Sequence, residues 1–162
     1  MMLKKIIFTT CLLLSLTYAM NSVASTNDPS EQLNTLLQEH QGKVIYLDFW
    51  ASWCGPCKKS FPWMNEMQTR YAPDGFTVIT VNLDKEALLA NEFLATHPAN
   101  FPVVYDPEGI LAKQYKLVGM PSSYLIGKDG EIKRSHAGFI NKQIPTYEQE
   151  IQLLLQQSVI KH

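Results

Sequence analysis

The segment over residues 43–49 constrains the fold most strongly, because it is almost continuously apolar over the length of one strand. A strand of this kind is buried on both faces, as happens when helices cover both sides of a parallel or mixed sheet. Asp48 is the exception within it. Residues 76–83 predict a second central strand of the same kind. The two segments together predict an α/β sandwich around one sheet.

The remaining elements follow from apolar periodicity and turn residues. Helices are predicted over 30–41, 54–71, 85–96, 110–115 and 142–157, and further strands over 101–105, 122–126 and 131–137. Ser30 is expected to cap the first helix, with Gly42 as its stop. Pro62 should kink the second helix without ending it, and Pro145 should lie in the first turn of the last helix. The order predicts one domain on a single central sheet.

The N-terminal residues have the layout of a secretory signal. Lys4 and Lys5 precede an apolar stretch over 6–19, and small residues follow it. That stretch has about 14 residues, fewer than the roughly 20 that a helix needs to span a bilayer, which favours cleavage over a membrane anchor. We therefore expect a signal peptide over 1–25 and a soluble, exported domain over 26–162.

Composition excludes one class of function. The chain of 162 residues is 46% apolar and 18% charged, which suits one compact domain. Its formal net charge is −1, and no long run of like charge is present. A nucleic-acid partner is therefore not expected.

The cysteines leave three kinds of site open. Cys11 lies in the expected signal, so the exported domain keeps Cys54 and Cys57, which could form a structural bridge, half of a zinc site or a redox centre. Zinc would need two further ligands at suitable spacing. The histidines show no such spacing: His40, His97, His136 and His162. No metal and no cofactor are expected, and His97 and His136 are expected to be solvated surface residues.

The pentapeptide over 53–57, Trp-Cys-Gly-Pro-Cys, follows the first predicted strand and opens a helix. Unpaired N–H groups and the helix dipole at that position stabilise an anion, so they favour the Cys54 thiolate as a nucleophile. Cys57 lies one turn deeper, where it can attack a mixed disulfide. Gly55 and Pro56 fit the first turn and hold the two sulfurs close.

This segment resembles a known family. Residues 48–58 are similar to the active-site segment of thioredoxins almost residue for residue, and Pro62 matches the proline within the helix of that site. The loop over 119–122 resembles the one that carries the cis-proline of thioredoxins. Residues 128–131 and Gly138 match the final hairpin of the family and the glycine after it.

A longer central stretch makes the chain resemble one branch of the family more than the others. Residues 101–109 resemble the central insertion of the exported TlpA/ResA-like branch, and the similarity extends over about 30–157. The resemblance implies a thioredoxin fold, with a central mixed β-sheet flanked by helices, an N-terminal helix and this insertion. It also implies that Cys54 and Cys57 form a redox disulfide.

The resemblance also implies further site residues. Pro121 should follow a cis peptide bond and expose the backbone of Met120 for strand-like pairing with a substrate peptide. Trp53 should contact substrate beside Cys54, whereas Trp50 should be core packing. Asp48 is expected to accept a proton from the second cysteine, because burial raises the pKa of a carboxyl.

Two positions depart from the family patterns. ResA-like proteins often have a glutamate three residues after the second cysteine, where this chain has Ser60. Thioredoxins usually place a lysine on the strand beside the buried aspartate, and Thr80 is the nearest equivalent here. The expected proton-transfer machinery is therefore that of thioredoxin without its lysine.

The resemblance implies a periplasmic thiol–disulfide oxidoreductase, most simply a reductase of protein disulfides. Its substrates would be disulfide-bearing proteins, with apocytochrome c and its C-x-x-C-H haem site as one candidate in cytochrome c maturation. Its electrons would come from a membrane thiol donor of the DsbD/CcdA type. Three alternatives stay open: an oxidase that introduces disulfides, a copper-handling protein of related fold, and a structural disulfide in a binding module.

Overall fold

A computed structural model describes residues 28–157, so the expected signal peptide and its boundary lie outside the described part of the chain. Within this range, five strands form one sheet and five α-helices pack on it. The strands are β1 (Val44–Trp50), β2 (Phe76–Asn82), β3 (Val103–Tyr105), β4 (Ser122–Ile126) and β5 (Ile132–Ala137). The helices are α1 (Pro29–Glu39), α2 (Gly55–Tyr71), α3 (Ala87–Thr96), α4 (Ile110–Gln114) and α5 (Ile144–Gln156).

The sheet is mixed, with the strand order β3-β2-β1-β4-β5. Strand β1 pairs in parallel with β2, from Val44 opposite Phe76 to Trp50 opposite Asn82. Strand β3 continues the parallel half, whereas β4 is antiparallel to β1 and β5 is antiparallel to β4. The mixed sheet flanked by helices confirms the predicted fold class.

Helices cover both faces of the sheet, which explains the apolar sequence of the two central strands. Every residue of β1 and of β2 is buried. One core contains Tyr46 and Trp50 of β1 together with side chains of α2, α3 and α5. The other contains Leu47 and Phe49 together with side chains of α1 and α4. Alternate residues of β1 therefore point into different cores.

The start of α1 differs from the prediction. The cap is Asp28, whose Oδ1 accepts a hydrogen bond from the Ser30 backbone N–H at 2.9 Å, so the prediction of Ser30 as the cap is wrong. Pro29 occupies the first turn, where its missing N–H costs nothing and its fixed φ suits a helix. The helix ends at Glu39, and Gly42 follows in the turn before β1 with a φ of 85°.

The prolines of the other helices lie as predicted. Helix α2 continues through Pro62 to Tyr71. Helix α5 has Pro145 in its first turn and follows a short 3₁₀ turn, Asn141–Gln143. Its buried face is apolar and consists of Tyr147, Ile151 and Leu154.

Strand β3 is shorter than predicted because of Pro102. Strand β3 begins at Val103 instead of at 101, because Pro102 has no N–H to donate to the sheet. Its carbonyl still accepts a hydrogen bond from the Thr80 backbone N–H at 2.9 Å. Phe101 remains buried in the core beneath α2.

Candidate active site

The two cysteines lie at the start of α2, just after the turn that follows β1. Cys54 caps the helix in an extended conformation, and its sulfur accepts a hydrogen bond from the Cys57 backbone N–H at 3.3 Å. The two sulfurs are joined in a disulfide, with Cα atoms 5.3 Å apart. Gly55 and Pro56 form the first helical turn between them. When the disulfide is reduced, the free N–H groups of this turn favour a thiolate at Cys54.

Exposure differs along the pentapeptide. The exposed fraction is 69% for Trp53, 4% for Cys54 and 0% for Cys57. Both cysteines are buried, but only Cys54 keeps any exposed surface, and it follows directly after the exposed Trp53. Trp50 is fully buried, with its ring 4.8 Å from that of Phe61, which agrees with its expected packing role.

Strand pairing brings the loop before β4 to the same end of the sheet. Ser122, the first residue of β4, lies opposite Phe49, close to where the cysteine turn begins. The peptide bond between Met120 and Pro121 is cis, as the resemblance implied. Met120 packs against the core cluster that contains both cysteines. The Pro121 carbonyl accepts a hydrogen bond from the Gly138 N–H at 2.7 Å, which ties this loop to the end of β5.

Asp48 is a buried carboxyl on the side of the sheet that α2 covers. It lies between Tyr46 and Trp50 in the alternation of β1, and both of these residues pack in the core with the cysteines. Its exposed fraction is 1%, and no described residue donates a hydrogen bond to its Oδ2. Desolvation by burial raises the pKa of Asp48 well above its ordinary value of 3.8.

The neighbouring strand offers Asp48 no charge. Thr80 lies opposite Asp48 in the parallel register, as the sequence suggested, and is fully buried. Its hydroxyl donates to the Pro102 carbonyl at 3.2 Å, so that hydrogen is not directed at the carboxyl. Nothing on β2 therefore offsets the desolvation of Asp48.

Ser60 also supplies no acid. It is buried on α2, and its hydroxyl donates to the Cys57 carbonyl at 3.0 Å. A serine bound to its own helix in this way cannot replace the glutamate that ResA-like proteins often carry there. Asp48 remains as a buried carboxyl on the side of the sheet that α2 covers.

Sequence reasoning missed a polar network beside the cysteine turn. Asp84 follows β2 and is buried, with an exposed fraction of 3%. Its carboxylate accepts hydrogen bonds from Ser52 and from Asn82. The sequence signal was an Asn-x-Asp pattern at the end of an apolar strand, which by itself looks like an ordinary turn.

The expectation for the histidines was wrong for His136. Its Nε2 lies 2.8 Å from the Glu150 carboxylate, and its ring packs at 4.8 Å on that of Tyr147. His97 is half-buried and stacks on Phe93, with ring centroids 4.5 Å apart. Each ring therefore packs against another residue of the domain, and neither is surrounded by solvent alone.

Between residues 28 and 157, no group of three or more His, Cys, Asp or Glu side chains could hold a metal ion. No helix in the same part of the chain is long and apolar enough to cross a membrane.

The mixed sheet, the cysteine pair at the start of α2 and the cis-proline beside it define a protein of the thioredoxin fold. A model of the Redoxin family matches residues 19–151, and the chain belongs to that family. It is 34% identical over 107 residues to the thiol-disulfide oxidoreductase ResA of Bacillus thuringiensis subsp. konkukian. That match covers 66% of this chain and 62% of the relative, so the chain spans less than two thirds of the relative's length.

Solved structures agree with this assignment. A candidate thiol:disulfide interchange protein DsbE from Chlorobium tepidum is 48% identical, with a TM-score of 0.72, covering 74% of this chain and 84% of that one. StoA from Bacillus subtilis is 29% identical, with a TM-score of 0.58, covering 67% and 82%. The predicted membership of the ResA-like branch of the thioredoxin superfamily is therefore confirmed.

The burial of Asp48 predicts that Asp48→Asn stabilises the oxidised protein at pH 8. Since the folded-state pKa lies above the unfolded value of about 3.8, the stability of the wild type is greatest below that value. It falls as the pH rises through the folded-state pKa, and the variant lacks this fall. Each unit of raised pKa corresponds to about 1.4 kcal/mol in the free energy of unfolding. Urea unfolding at a series of pH values measures the difference.

Asp74→Asn is the matched control, because Asp74 is exposed. It should change the free energy of unfolding by less than about 0.5 kcal/mol at every pH. A gain for Asp48→Asn that is the same at pH 4 and pH 8 would contradict a buried titrating carboxyl.

Proposed function

We propose that this protein is a thiol–disulfide oxidoreductase that reduces disulfides in other proteins. The observation that carries the proposal is the pair at the start of α2, in which Cys54 caps the helix beside the exposed Trp53 and keeps a small exposed fraction, whereas Cys57 is completely buried. This asymmetry supports Cys54 as the attacking sulfur and Cys57 as the resolving sulfur. A purely structural bridge would require neither the helix N-terminus nor the exposed Trp53 beside it.

The reaction would proceed in two exchanges. The Cys54 thiolate attacks one sulfur of the substrate disulfide, forms a mixed disulfide and releases the other substrate sulfur as a thiolate. The Cys57 thiolate then attacks the Cys54 sulfur and expels the second substrate thiolate. The substrate gains two electrons, and the protein is left with the Cys54–Cys57 disulfide seen in the structure.

The second exchange needs a base, because Cys57 is completely buried and must lose its proton before it attacks. Asp48 fits that role, since it lies on the face that α2 covers and carries a raised pKa. A base works best when its pKa is near the working pH. The Oδ2 atom has no competing donor among the described residues, so it is free to accept the proton.

Substrate binding would use the surface around Cys54. The exposed Trp53 ring, the first turn formed by Gly55 and Pro56, and the loop of Met120 and Pro121 meet at this end of the sheet. An extended peptide could pair with the Met120 backbone in the manner of an added strand.

The protein would act after export to the periplasm, directed by a signal peptide over 1–25 that is removed from the domain over 26–162. After each turnover it would need two electrons, and a membrane thiol donor of the DsbD/CcdA type would supply them. The names of the ResA and DsbE relatives support thiol–disulfide exchange. Apocytochrome c, with a C-x-x-C-H disulfide, is our candidate substrate.

The reduction potential decides the direction of electron flow. The Gly-Pro pair between the cysteines is that of thioredoxin, whose potential is about −270 mV, whereas the oxidant DsbA lies near −120 mV. We expect a value near or below about −250 mV. Equilibration of the protein in graded thiol/disulfide buffers measures it, and a value above about −150 mV would make the protein an oxidase instead.

Single cysteine variants test the two assigned roles. Cys57→Ser should accumulate a mixed disulfide with insulin or another disulfide-bearing substrate. In this variant Cys54 can still attack the substrate disulfide, but no second thiol is present to resolve the mixed disulfide. Cys54→Ser should form no such adduct, since Cys57 is buried. Mass spectrometry of protein lacking 1–25, and hence Cys11, detects the adduct. Equal adduct formation by both variants would contradict the assignment of Cys54 as the attacking and Cys57 as the resolving cysteine.

Asp48→Asn tests the proposed base. We expect the resolving step to slow by about a hundredfold or more near pH 7, the low end of what a positioned base contributes. Attack by Cys54 should change by less than about twofold, because its thiolate is stabilised by the helix. Rapid-quench kinetics of the mixed disulfide separate the two steps.

Thr80→Val is the matched control, because Thr80 lies opposite Asp48 but donates to Pro102 instead. It should leave the resolving rate within about twofold of the wild type. If Asp48→Asn resolves the mixed disulfide as fast as wild type, another group accepts the proton.

A further inference from the structure

Asp84 is a buried carboxylate that the proposed reaction does not use. Its Oδ2 accepts hydrogen bonds from the Ser52 backbone N–H at 2.9 Å and from the Asn82 side-chain amide at 2.8 Å. Its Oδ1 accepts the Ser52 hydroxyl at 2.8 Å. The Asp84 N–H in turn donates to the Asn82 Oδ1 at 3.1 Å, which closes the network.

These bonds join two loops that leave neighbouring strands. Trp50 lies opposite Asn82 at the ends of β1 and β2, and the Trp50 carbonyl accepts a hydrogen bond from the Leu83 N–H at 2.9 Å. Ser52 follows two residues after Trp50 and lies two residues before Cys54. Asp84 is therefore hydrogen-bonded to the middle of the turn that leads from the sheet to Cys54.

The turn depends on few other bonds. The Cys54 N–H donates to the Ala51 carbonyl at 3.0 Å and closes the turn from within. Asp84 holds the same turn from outside, through both the backbone and the side chain of Ser52. The stabilising effect of a helix N-terminus falls off within one turn, so the position of the Cys54 sulfur determines how much of it the thiolate receives.

We propose that Asp84 is a positioning residue for Cys54, whose carboxylate fixes the turn at Ser52 and so keeps the sulfur at the N-terminus of α2. This inference rests on the proposed function, in which Cys54 is the attacking thiolate. Asp84 acts through hydrogen bonds to Ser52 and does not touch a substrate.

Two variants of Asp84 can separate the effect of its hydrogen bonds from the effect of its negative charge. In Asp84→Asn the amide oxygen can take the Oδ2 place, where two donors point. The amide nitrogen then takes the Oδ1 place and donates to the Ser52 hydroxyl, which can accept as well as donate. This variant keeps the anchor and removes any charge, whereas Asp84→Ala removes both.

The test is the pKa and reactivity of Cys54 in the reduced protein, followed by alkylation with iodoacetamide as a function of pH. Asp84→Ala should raise the pKa of Cys54 and reduce its alkylation rate at pH 6 by about threefold or more. Asp84→Asn should restore a rate within about twofold of wild type, because the hydrogen bonds are retained. Ser52→Ala, which loses only the Oδ1 bond, should show a smaller change in the same direction and serves if Asp84→Ala does not fold.

Asp106→Ala is the matched control. Asp106 is also a buried aspartate after a strand of this sheet, but its oxygens accept the backbone N–H groups of Ile110 and Ala112 at the start of α4. It should lower the free energy of unfolding without changing the pKa of Cys54.

Three results would overturn the proposal. The first is an unchanged Cys54 pKa in Asp84→Ala and Ser52→Ala, which would make the network merely structural. The second is an equal shift in Asp84→Asn and Asp84→Ala, which would show that the hydrogen bonds to Ser52 do not set the pKa of Cys54. The third is an equal shift in Asp106→Ala, which would assign it to general loosening. Because alkylation needs no substrate, these results are independent of insulin reduction by the wild type, whose absence would count against the proposed function alone.

Discussion

The central strand β1 is hydrogen-bonded along both edges, to β2 in parallel and to β4 antiparallel. This double pairing satisfies the backbone of the strand and fixes which residue of each neighbour lies beside it, while the helices on both faces of the sheet keep every position of the strand from water. It places Asp48 in the core, carries the chain to the cysteine turn at its end and brings the start of β4 next to that turn. A shift of one residue in either register would turn Asp48 to the opposite face of the sheet.

Local sequence was sufficient for the features that depend on a few neighbouring residues. The apolar run of β1, the pentapeptide over 53–57 and the periodicity of α5 each predicted an element that the structure contains. Pro29 was an available signal for the start of α1, because proline favours the first helical turn and so points to Asp28 as the cap. Ser30 has a residue type that suits a cap, but its position after the proline places it inside the helix.

Features that join distant segments were not predictable in the same way. Ser52 and Asp84 are 32 residues apart, and only the register of β1 with β2 brings them together. The contact of His136 with Glu150 likewise depends on how α5 packs beside β5. An aspartate after a strand or a histidine within one is too common to specify its partner, and none of the motifs that carry the family resemblance includes Asp84, His136 or Glu150.

The two buried carboxyl groups near the cysteines have opposite surroundings, and the difference explains their separate roles. Asp84 meets three donors, so its oxygens are occupied and it can hold a turn in place. Asp48 has an oxygen without a donor and no cation on the neighbouring strand, so burial favours its neutral form. A carboxyl that is satisfied as an anion makes a good anchor and a poor base. A carboxylate whose charge is disfavoured by burial binds a proton more tightly. In its ionised form Asp48 can therefore take up the proton that the buried Cys57 thiol releases, which is the property that resolution by Cys57 requires.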